Sequence, residues 1–545
     1  MAARRKSGRH CFTGVSYIVG VAGCAAEVAG EHTILFQAHL QIAMTKKTAL
    51  LLAFIALKFL LQYFLIIPGY DLHRDEYLHL DQGDHLAWGF MSVPPVTSWV
   101  AWLIGVLGNG IWTVRFFPAL FGAMTMAVVW KTVERLGGNL FACALAGSCT
   151  LFSVLLRLNQ LFQPNSLDVL CWTTLYYCLI SFIQSSDRRW LYGFATVFAL
   201  GVLNKYNIAF AVAGLLPALL LTRQRNLLLN KHVYLAFLLA LLLISPNLIW
   251  QYQHNFPVFH HMKLLAETQL VNVKRADFLK EQLLFFIGSL FVIAAALYGL
   301  LSYKPFAAYR LFFFSIIITL AAFTYLRAKG YYAIGIYPVY IAFGAVYIGA
   351  KVNAAWLRSM FVLIPVVLFI PLFNVAFPNK TPEQIVANPG PYQKLGLLRW
   401  EDGKDHQLPQ DFADMLGWHE LAAKVDAAYA SMPDRESTLV LCDNYGQAGA
   451  INYYTKQGVR AVTFNADYVD WFDLTKKYRH LIRVKNRWER EAELKETGPL
   501  FATGFAADSV TNRYARELGT TVFVFRDARI DINARIEKEI AEERW

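Results

Sequence analysis

The chain has 545 residues, of which 56% are hydrophobic, 15% aromatic and only 17% charged. So large an apolar share cannot fold into one soluble core; it marks a polytopic α-helical membrane protein with some soluble mass attached. The formal charge of +12 would suggest nucleic acid in a soluble chain, but Lys and Arg fall between apolar segments, where they set orientation, so no nucleic-acid partner is expected.

In chain order, Arg4, Arg5, Lys6 and Arg9 precede a mild apolar run from Phe12 to Ala29, and a second start, Met44-Thr45-Lys46-Lys47, follows directly before a strong span. Residues 1–43 therefore read as a leader or an over-extended N-terminus. Stretches of roughly 20 apolar residues then recur about eleven times, at 49–68, 113–133, 140–157, 166–184, 190–203, 207–222, 232–251, 282–303, 309–326, 331–350 and 355–373. With the N-terminus cytoplasmic, the cytoplasmic ends carry Lys46 and Lys47, Lys131 and Arg135, Arg188 and Arg189, Arg223, Arg225 and Lys231, Lys304 and Arg310, and Lys351 and Arg358. This satisfies the positive-inside rule for a multi-pass protein of the cytoplasmic membrane, with its membrane domain at 44–373. The apolar stretch 97–107 is too short to span and is expected along the outer surface as a juxtamembrane helix. The first loop, 69–112, then faces outward with Asp71, Asp75, Glu76, Asp81 and Asp84.

Beyond Phe373, Pro378, Pro382, Pro389 and Pro391 mark a linker at 374–409, and 410–545 reads as an extracytoplasmic soluble α/β domain. The pattern predicts a helix over 411–431, a strand over 438–442, a helix opening at Gly446, a strand over 459–464, a helix over 487–497 and a strand over 521–525. This alternation favours a Rossmann-like layer, although no phosphate-binding glycine fingerprint follows the first strand. Tyr445-Gly446-Gln447-Ala448-Gly449 reads as a strand-to-helix turn whose two glycines permit a tight bend. Cys143, Cys149, Cys171 and Cys178 lie inside apolar segments and read as small hydrophobes.

The outward polar groups are Asp75 and Glu76, then Arg157, Asn159, Gln160 and Gln163, then Asp168 just inside a span, Lys205 between two spans, and Arg327, Lys329, Tyr331 and Tyr332. Charges at membrane depth are costly and mark a pathway or a site. Carboxylates there can act as a general base, and Lys or Arg can hold the phosphate of a lipid. His73, His79 and His85 share the acidic loop, but their spacing matches no compact metal-ligand motif. They read as surface histidines, and a divalent metal near this loop is not favoured.

The order of these features resembles the GT-C membrane glycosyltransferases. The resemblance rests on the outward Asp75-Glu76 after the first span, Pro94-Pro95 before the apolar run from Trp99 to Leu107, Arg115 opening the second span, the polar segment with Asp168, the Asn204-Lys205-Tyr206 turn, and Lys329-Gly330-Tyr331-Tyr332 with Tyr337-Pro338. Within that class the chain looks like the family 39 and family 83 group, which includes protein O-mannosyltransferases and the lipid A aminoarabinose transferase. Asp411-Phe412-Ala413-Asp414, Gly417-Trp418 and the Tyr445 pattern look like the tail of many bacterial members. The family's usual His before Pro-Pro is Val93 here, and its frequent Pro-Asp is Pro164-Asn165, which leaves Asp168 as the substitute acid.

The resemblance implies transfer of a sugar from a polyprenyl-phosphate donor to an acceptor (lipid A, a polysaccharide, another lipid or a protein) on the outer face, with inversion. Asp75 is then the expected base, with Glu76 as its orienter or alternative. Lys329 and Lys205 are the first candidates for the phosphate, with Arg157 and Arg327 behind them and Arg115 as a further candidate. Asp168 would stabilise positive charge on the sugar or bind its hydroxyls, and Tyr331 and Tyr332 would be ligands or interface aromatics. A lipid phosphate is already a good leaving group, so no general acid is demanded, and no cofactor is expected to be required. The competing class is a glycolipid transporter or flippase, for which internal repeats and symmetric broken helices are expected; neither is legible in the sequence.

Overall fold

The computed structural model describes residues 45–268 and 270–543, so the leader expected over 1–43 lies outside the described residues. Apolar stretches become helices here because a backbone in lipid must satisfy its amides within its own segment. Among the described residues, seven helices are long and apolar enough to cross a membrane: Lys46–Phe64, Ile111–Arg135, Asn165–Ser185, Lys231–Gln253, Lys304–Tyr325, Gly330–Lys351 and Ala355–Ala376. Two further helix pairs are apolar enough only when taken together and bend sharply at a break, Tyr206–Leu220 with Arg223–Leu229 by 110° and Arg275–Phe285 with Ile287–Ser302 by 63°.

The chain is an integral membrane protein with a helical bundle. The remaining apolar stretches of the sequence count fall on the shorter helices Leu140–Leu151 and Arg189–Asn204. The expected 140–157 span breaks because the Ser153 hydroxyl accepts from Leu155 N and caps a new short helix, Val154–Leu158. Length and composition alone therefore do not fix the number of crossings. The Asn165–Ser185 and Gly330–Lys351 helices are the most buried of the long ones, while Lys46–Phe64 and Ala355–Ala376 bury few of their side chains.

The C-terminal region holds one five-stranded sheet in the order β2-β1-β3-β5-β4, with β1 Thr438–Cys442, β2 Ala461–Thr463, β3 His480–Lys485, β4 Phe501–Ser509 and β5 Thr521–Ala528. β2, β1 and β3 are parallel, whereas β5 and β4 run antiparallel, so the expected Rossmann-like layer is limited to the β2-β1-β3 side of the sheet. The sequence reading missed β3, whose Arg483 and Lys485 interrupt its apolar run, and β4, which is mostly exposed and bulged between Ala506 and Asp508. The helix expected over 411–431 is divided: a short helix, Gln410–Ala413, stops at Asp414, and Gly417, with a φ of +85°, stands before Trp418–Ala430.

Residues 374–409, expected as a linker, are folded. Pro382 and Pro391 sit in the first turns of two short helices, Pro382–Ala387 and Gly390–Lys394. Between and beyond the prolines, Ile385, Tyr392, Leu398 and Leu408 pack with Ile66, Tyr70, Val375 and Phe412 in one apolar cluster. The prolines start helices here; they do not keep the chain extended.

Asp75 and Glu76 lie in the first turn of a helix, Arg74–Asp84, wedged between the bundle and the sheet domain. Its Tyr77, Leu78 and Leu80 share a core with Trp418, Ala448 and Ile451. Gly446 and Gly449 let the Tyr445–Tyr454 helix approach it closely. A Cβ on Gly449 would lie 2.7 Å from the Tyr77 Cβ, and one on Gly446 would lie 3.2 Å from the Arg74 Cβ. These glycines therefore serve helix-to-helix packing, which the sequence reading of a tight turn did not foresee.

Candidate active site

The acid-bearing helix begins where His73 caps it. The His73 Nδ1 accepts from Asp75 N at 3.2 Å, and His73 N donates to Glu76 Oε2 at 2.7 Å. This reciprocal pair is a capping box with His in the usual Ser or Thr place. The preceding residues are held by the C-terminal domain: Asp71 N donates to Met415 O at 2.8 Å and Arg74 N to Asp414 O at 3.2 Å.

The structure separates the two acids. The other Glu76 oxygen accepts from Phe162 N at 2.7 Å, and the residue is fully buried. Both its oxygens are thus spent on backbone amides, one of its own helix cap and one of the loop before the Asn165–Ser185 helix. Burial pushes its carboxyl above the ordinary range, against the nearby Arg115 charge and these two amides.

The Asp75 side chain is 35% exposed and holds side-chain donors on both oxygens. Oδ1 accepts from the Tyr445 hydroxyl at 2.8 Å, and Oδ2 accepts from Gln163 Nε2 at 3.1 Å. Burial raises its carboxyl, but the charges of His73 and Arg74 and the Tyr445 hydroxyl outweigh this and hold it below the ordinary carboxylate range. Asp75 is therefore ionised and oriented at neutral pH.

From Asp75 a hydrogen-bonded chain leads to a cation. Gln163 Oε1 accepts from Asn165 Nδ2 at 2.9 Å, and Asn165 Oδ1 accepts from Lys205 Nζ at 2.6 Å. The Lys205 ammonium lies 5.0 Å from the Tyr331 ring centroid and 4.6 Å from that of Tyr332, within cation–π range. Lys329 is within electrostatic reach of Lys205 and pairs with Glu401 at 2.9 Å. The loop carrying Lys329 is fixed by Gln282 Nε2, which donates to Gly330 O at 3.1 Å, and Tyr337 in turn donates to Gln282 Oε1 at 3.1 Å. Two cationic side chains thus stand beside a tyrosine pair, Lys329 paired with Glu401 and Lys205 within electrostatic reach of Asp168.

The other sequence candidates have different surroundings. Asp168 is buried, accepting from Trp172 Nε1 at 3.1 Å and Asn207 Nδ2 at 2.9 Å. Asn207 also donates to Tyr332 O at 2.9 Å, so Asp168 braces the tyrosine pair from behind. Arg115 donates to Asp71 O at 3.2 Å, and Arg157 pairs with Asp411 at 3.1 Å, so each ties the bundle to other chain segments and neither joins the Lys205 group. Arg327 is exposed, with a φ of +53°, and none of its side-chain contacts links it to this group.

His73 and His79 are each only 5% exposed, which corrects their reading as surface groups; His79 faces Gln82 at 2.9 Å. His85 stacks on Trp471 at 4.2 Å between centroids. Among the described residues, no group of three or more His, Cys, Asp or Glu is placed to hold a metal.

Sequence reasoning missed Tyr445, because nothing local links residue 445 to residue 75. It also missed Lys58, which lies inside the first span. The Lys58 Nζ is buried and donates to Gln62 Oε1 at 2.8 Å and Asn159 Oδ1 at 3.0 Å. Gln62 Nε2 donates to Asn159 O at 2.5 Å and Asn159 Nδ2 to Ser166 Oγ at 3.1 Å, so this cluster anchors both ends of the loop that carries Phe162, Gln163 and Asn165. A lysine within an apolar 20-mer was the available signal.

Residues 92–250 match the family described as dolichyl-phosphate-mannose-protein mannosyltransferase. A lipid A galacturonosyltransferase, RgtD, of Rhizobium johnstonii is 29% identical over 233 residues, which covers 39% of this chain and 48% of the relative. The chain thus spans about half the length of that curated relative. The fold is similar to that of ArnT from Cupriavidus metallidurans in the apo state, with a TM-score of 0.59, 14% identity, and coverage of 88% of this chain and 98% of that one. The same protein bound to undecaprenyl phosphate gives a TM-score of 0.58 over the same coverage. The chain accordingly has an ArnT-like GT-C fold.

Proposed function

We propose that the protein is a membrane glycosyltransferase that moves a sugar from a polyprenyl-phosphate donor to an acceptor at the outer face of the cytoplasmic membrane. The observation that carries this reading is the hydrogen-bonded chain from Asp75 through Gln163 and Asn165 to Lys205. It holds an ionised carboxylate and a cation in fixed relation.

In the proposed reaction the acceptor hydroxyl oxygen attacks the anomeric carbon and its proton passes to Asp75. The bond from that carbon to the phosphate oxygen breaks on the opposite face, and the phosphate leaves with the electron pair, which gives inversion. Lys205 and Lys329 meet the charge that grows on the departing phosphate. Glu76 holds the helix that presents Asp75, and Asp168 holds Asn207 behind the tyrosines. No cofactor enters these steps.

The donor class draws support from ArnT, whose fold is shared and which has been solved with undecaprenyl phosphate bound. Similarity to a lipid A galacturonosyltransferase puts lipid A first among acceptors, ahead of polysaccharide, other lipids and protein. The Lys and Arg distribution supports a cytoplasmic N-terminus and an extracytoplasmic C-terminal domain.

The test is transfer of radiolabelled sugar from polyprenyl phosphate in vesicles by the parent protein and by Asp75→Asn. Loss of about three orders of magnitude or more is expected for removal of the base together with the charge it supplies. Unchanged transfer by the variant, or none by the parent with any lipid-phosphate sugar, overturns the reading. A C-terminal alkaline phosphatase fusion tests the topology, with active enzyme expected.

A further inference from the structure

The C-terminal domain reaches the Asp75 carboxylate directly. Tyr445, the first residue of the Tyr445–Tyr454 helix, donates its hydroxyl to Asp75 Oδ1 at 2.8 Å, while the Arg74 guanidinium carbon lies 4.5 Å from its ring centroid. The ring is thus held between Arg74 and the carboxylate, leaving the hydroxyl little choice of partner. The contact is also over-determined by packing around it. Asn452 donates to Asp81 Oδ2 at 2.7 Å and the Tyr468 hydroxyl to the same oxygen at 2.5 Å. Gln82 donates to Asp467 Oδ2 at 2.7 Å, and the side-chain-free faces of Gly446 and Gly449 bring the two helices together. Every one of these contacts joins the acid-bearing helix to the C-terminal domain.

The two oxygens of Asp75 are therefore held from opposite parts of the chain, Oδ2 by Gln163 of the bundle and Oδ1 by Tyr445 of the sheet domain. A general base needs one lone pair aimed at the proton it takes, and fixing both oxygens restricts which one that is.

Building on the reading of Asp75 as the base, we infer that Tyr445 is a positioning residue for the transfer reaction and that the C-terminal domain forms part of the catalytic centre. The hydroxyl holds the carboxylate in register with Lys205 and favours its ionised form. The charged and titratable groups facing Asp75 are His73, Arg74 and His79 from its own helix, Tyr445 and Asp414 from the C-terminal domain, and Tyr331 from the bundle. Among them, Tyr445 donates its hydroxyl to the carboxylate, and that hydroxyl can be removed while its ring and packing stay.

The test is Tyr445→Phe in the full-length protein, measured beside Asp75→Asn in the same transfer assay. Tyr445→Phe should lower kcat about tenfold, leave KM for the lipid donor within about twofold, and move the acid limb of the pH–rate profile to higher pH, because a hydrogen bond to the ionised carboxylate is lost. Placing 3,5-difluorotyrosine at position 445, a stronger donor, should move that limb the opposite way and serves if the Phe variant fails to fold. A role confined to packing would move neither limb. An unchanged kcat and unchanged acid limb in Tyr445→Phe, with Asp75→Asn inactive, overturns the inference and leaves the reading of Asp75 intact. Full transfer by Asp75→Asn overturns both.

Discussion

Gln163 donates its side-chain amide to Asp75 Oδ2 at 3.1 Å while its carbonyl accepts from Asn165, so one neutral residue links the acid to the group that holds Lys205. Gln163→Ala removes both contacts at a part-exposed position. We expect kcat to fall about 10- to 100-fold with little change in melting temperature, as for a residue that orients a reacting group. Single-turnover transfer measured beside thermal unfolding in detergent checks this; a large fall in melting temperature would point to a structural role instead.

Glu76 should behave in the reverse way. Its oxygens accept from two buried backbone amides, so Glu76→Gln replaces one acceptor by a donor facing a donor. A lost buried hydrogen bond of this kind costs about 1–3 kcal/mol. The variant should melt at lower temperature while the folded fraction keeps most of its kcat, and a normal melt with lost kcat would count against this assignment.

Lys205 and the surface cation Lys131 make a contrasting pair. Lys205→Ala should raise KM for the lipid donor and lower kcat by about 10²-fold or more, the scale seen when one preorganised donor to a developing anion is removed. Lys131, paired with Glu134 on an exposed helix end, should tolerate Ala without change in either constant. Equal effects of the two substitutions would sink the phosphate assignment.

The buried Lys58 offers a test far from the chemistry. Lys58→Met strands Gln62 Oε1 and Asn159 Oδ1 inside the bundle, at about 1–3 kcal/mol for each acceptor left unmet. Gly122→Ala should be similarly harmful, since its Cβ would fall 2.0 Å from Asn159 Oδ1. Both changes should lower thermal stability and, through the loop that carries Gln163, slow transfer. A wild-type melting curve for both would show that the cluster does not brace that loop.

Docking of the acid-bearing helix should depend on pH. Burial pushes Asp81 up to about 7 and Asp467 up to about 6, both against the hydrogen bonds they accept. Because these folded pKa values lie above the ordinary aspartate value near 4, their contribution to stability is full below about pH 4 and is lost as pH rises through about 6 to 7. With Asp81→Asn, the part of the fall in melting temperature between pH 5 and 8 that belongs to this group should disappear. A slope identical to the parent's would rule Asp81 out as its source.

Much of this architecture was legible in the sequence. Runs of apolar residues mark helices because hydropathy and intra-segment hydrogen bonding act over neighbouring residues. The acid pair also carried a local signature, since Glu76 stands where a capping box places its carboxylate and His73 supplies the other half. What failed were signals that depend on partners. The prolines of 374–409 suggested an extended linker, yet Ile385, Tyr392 and Leu398 find Ile66 and Tyr70 to bury against. β3 and β4 lacked the apolar alternation by which a strand is read, because neighbouring strands and ion pairs supply what their own side chains do not.

The amino-acid sequence by itself determined that this is a membrane-embedded helical chain with an acid pair after its first span and an α/β tail, because each of those features is written in residues close together. Only the tertiary structure decided how each acid is held and which groups surround it. The Asp75 oxygens meet Gln163 and Tyr445, partners 88 and 370 residues away, while Glu76 is consumed by backbone amides and Arg115 and Arg157 are drawn to other segments. The physical reason is that a side chain's protonation, exposure and direction are set by what packs against it, and here that packing comes from parts of the chain that no local pattern connects.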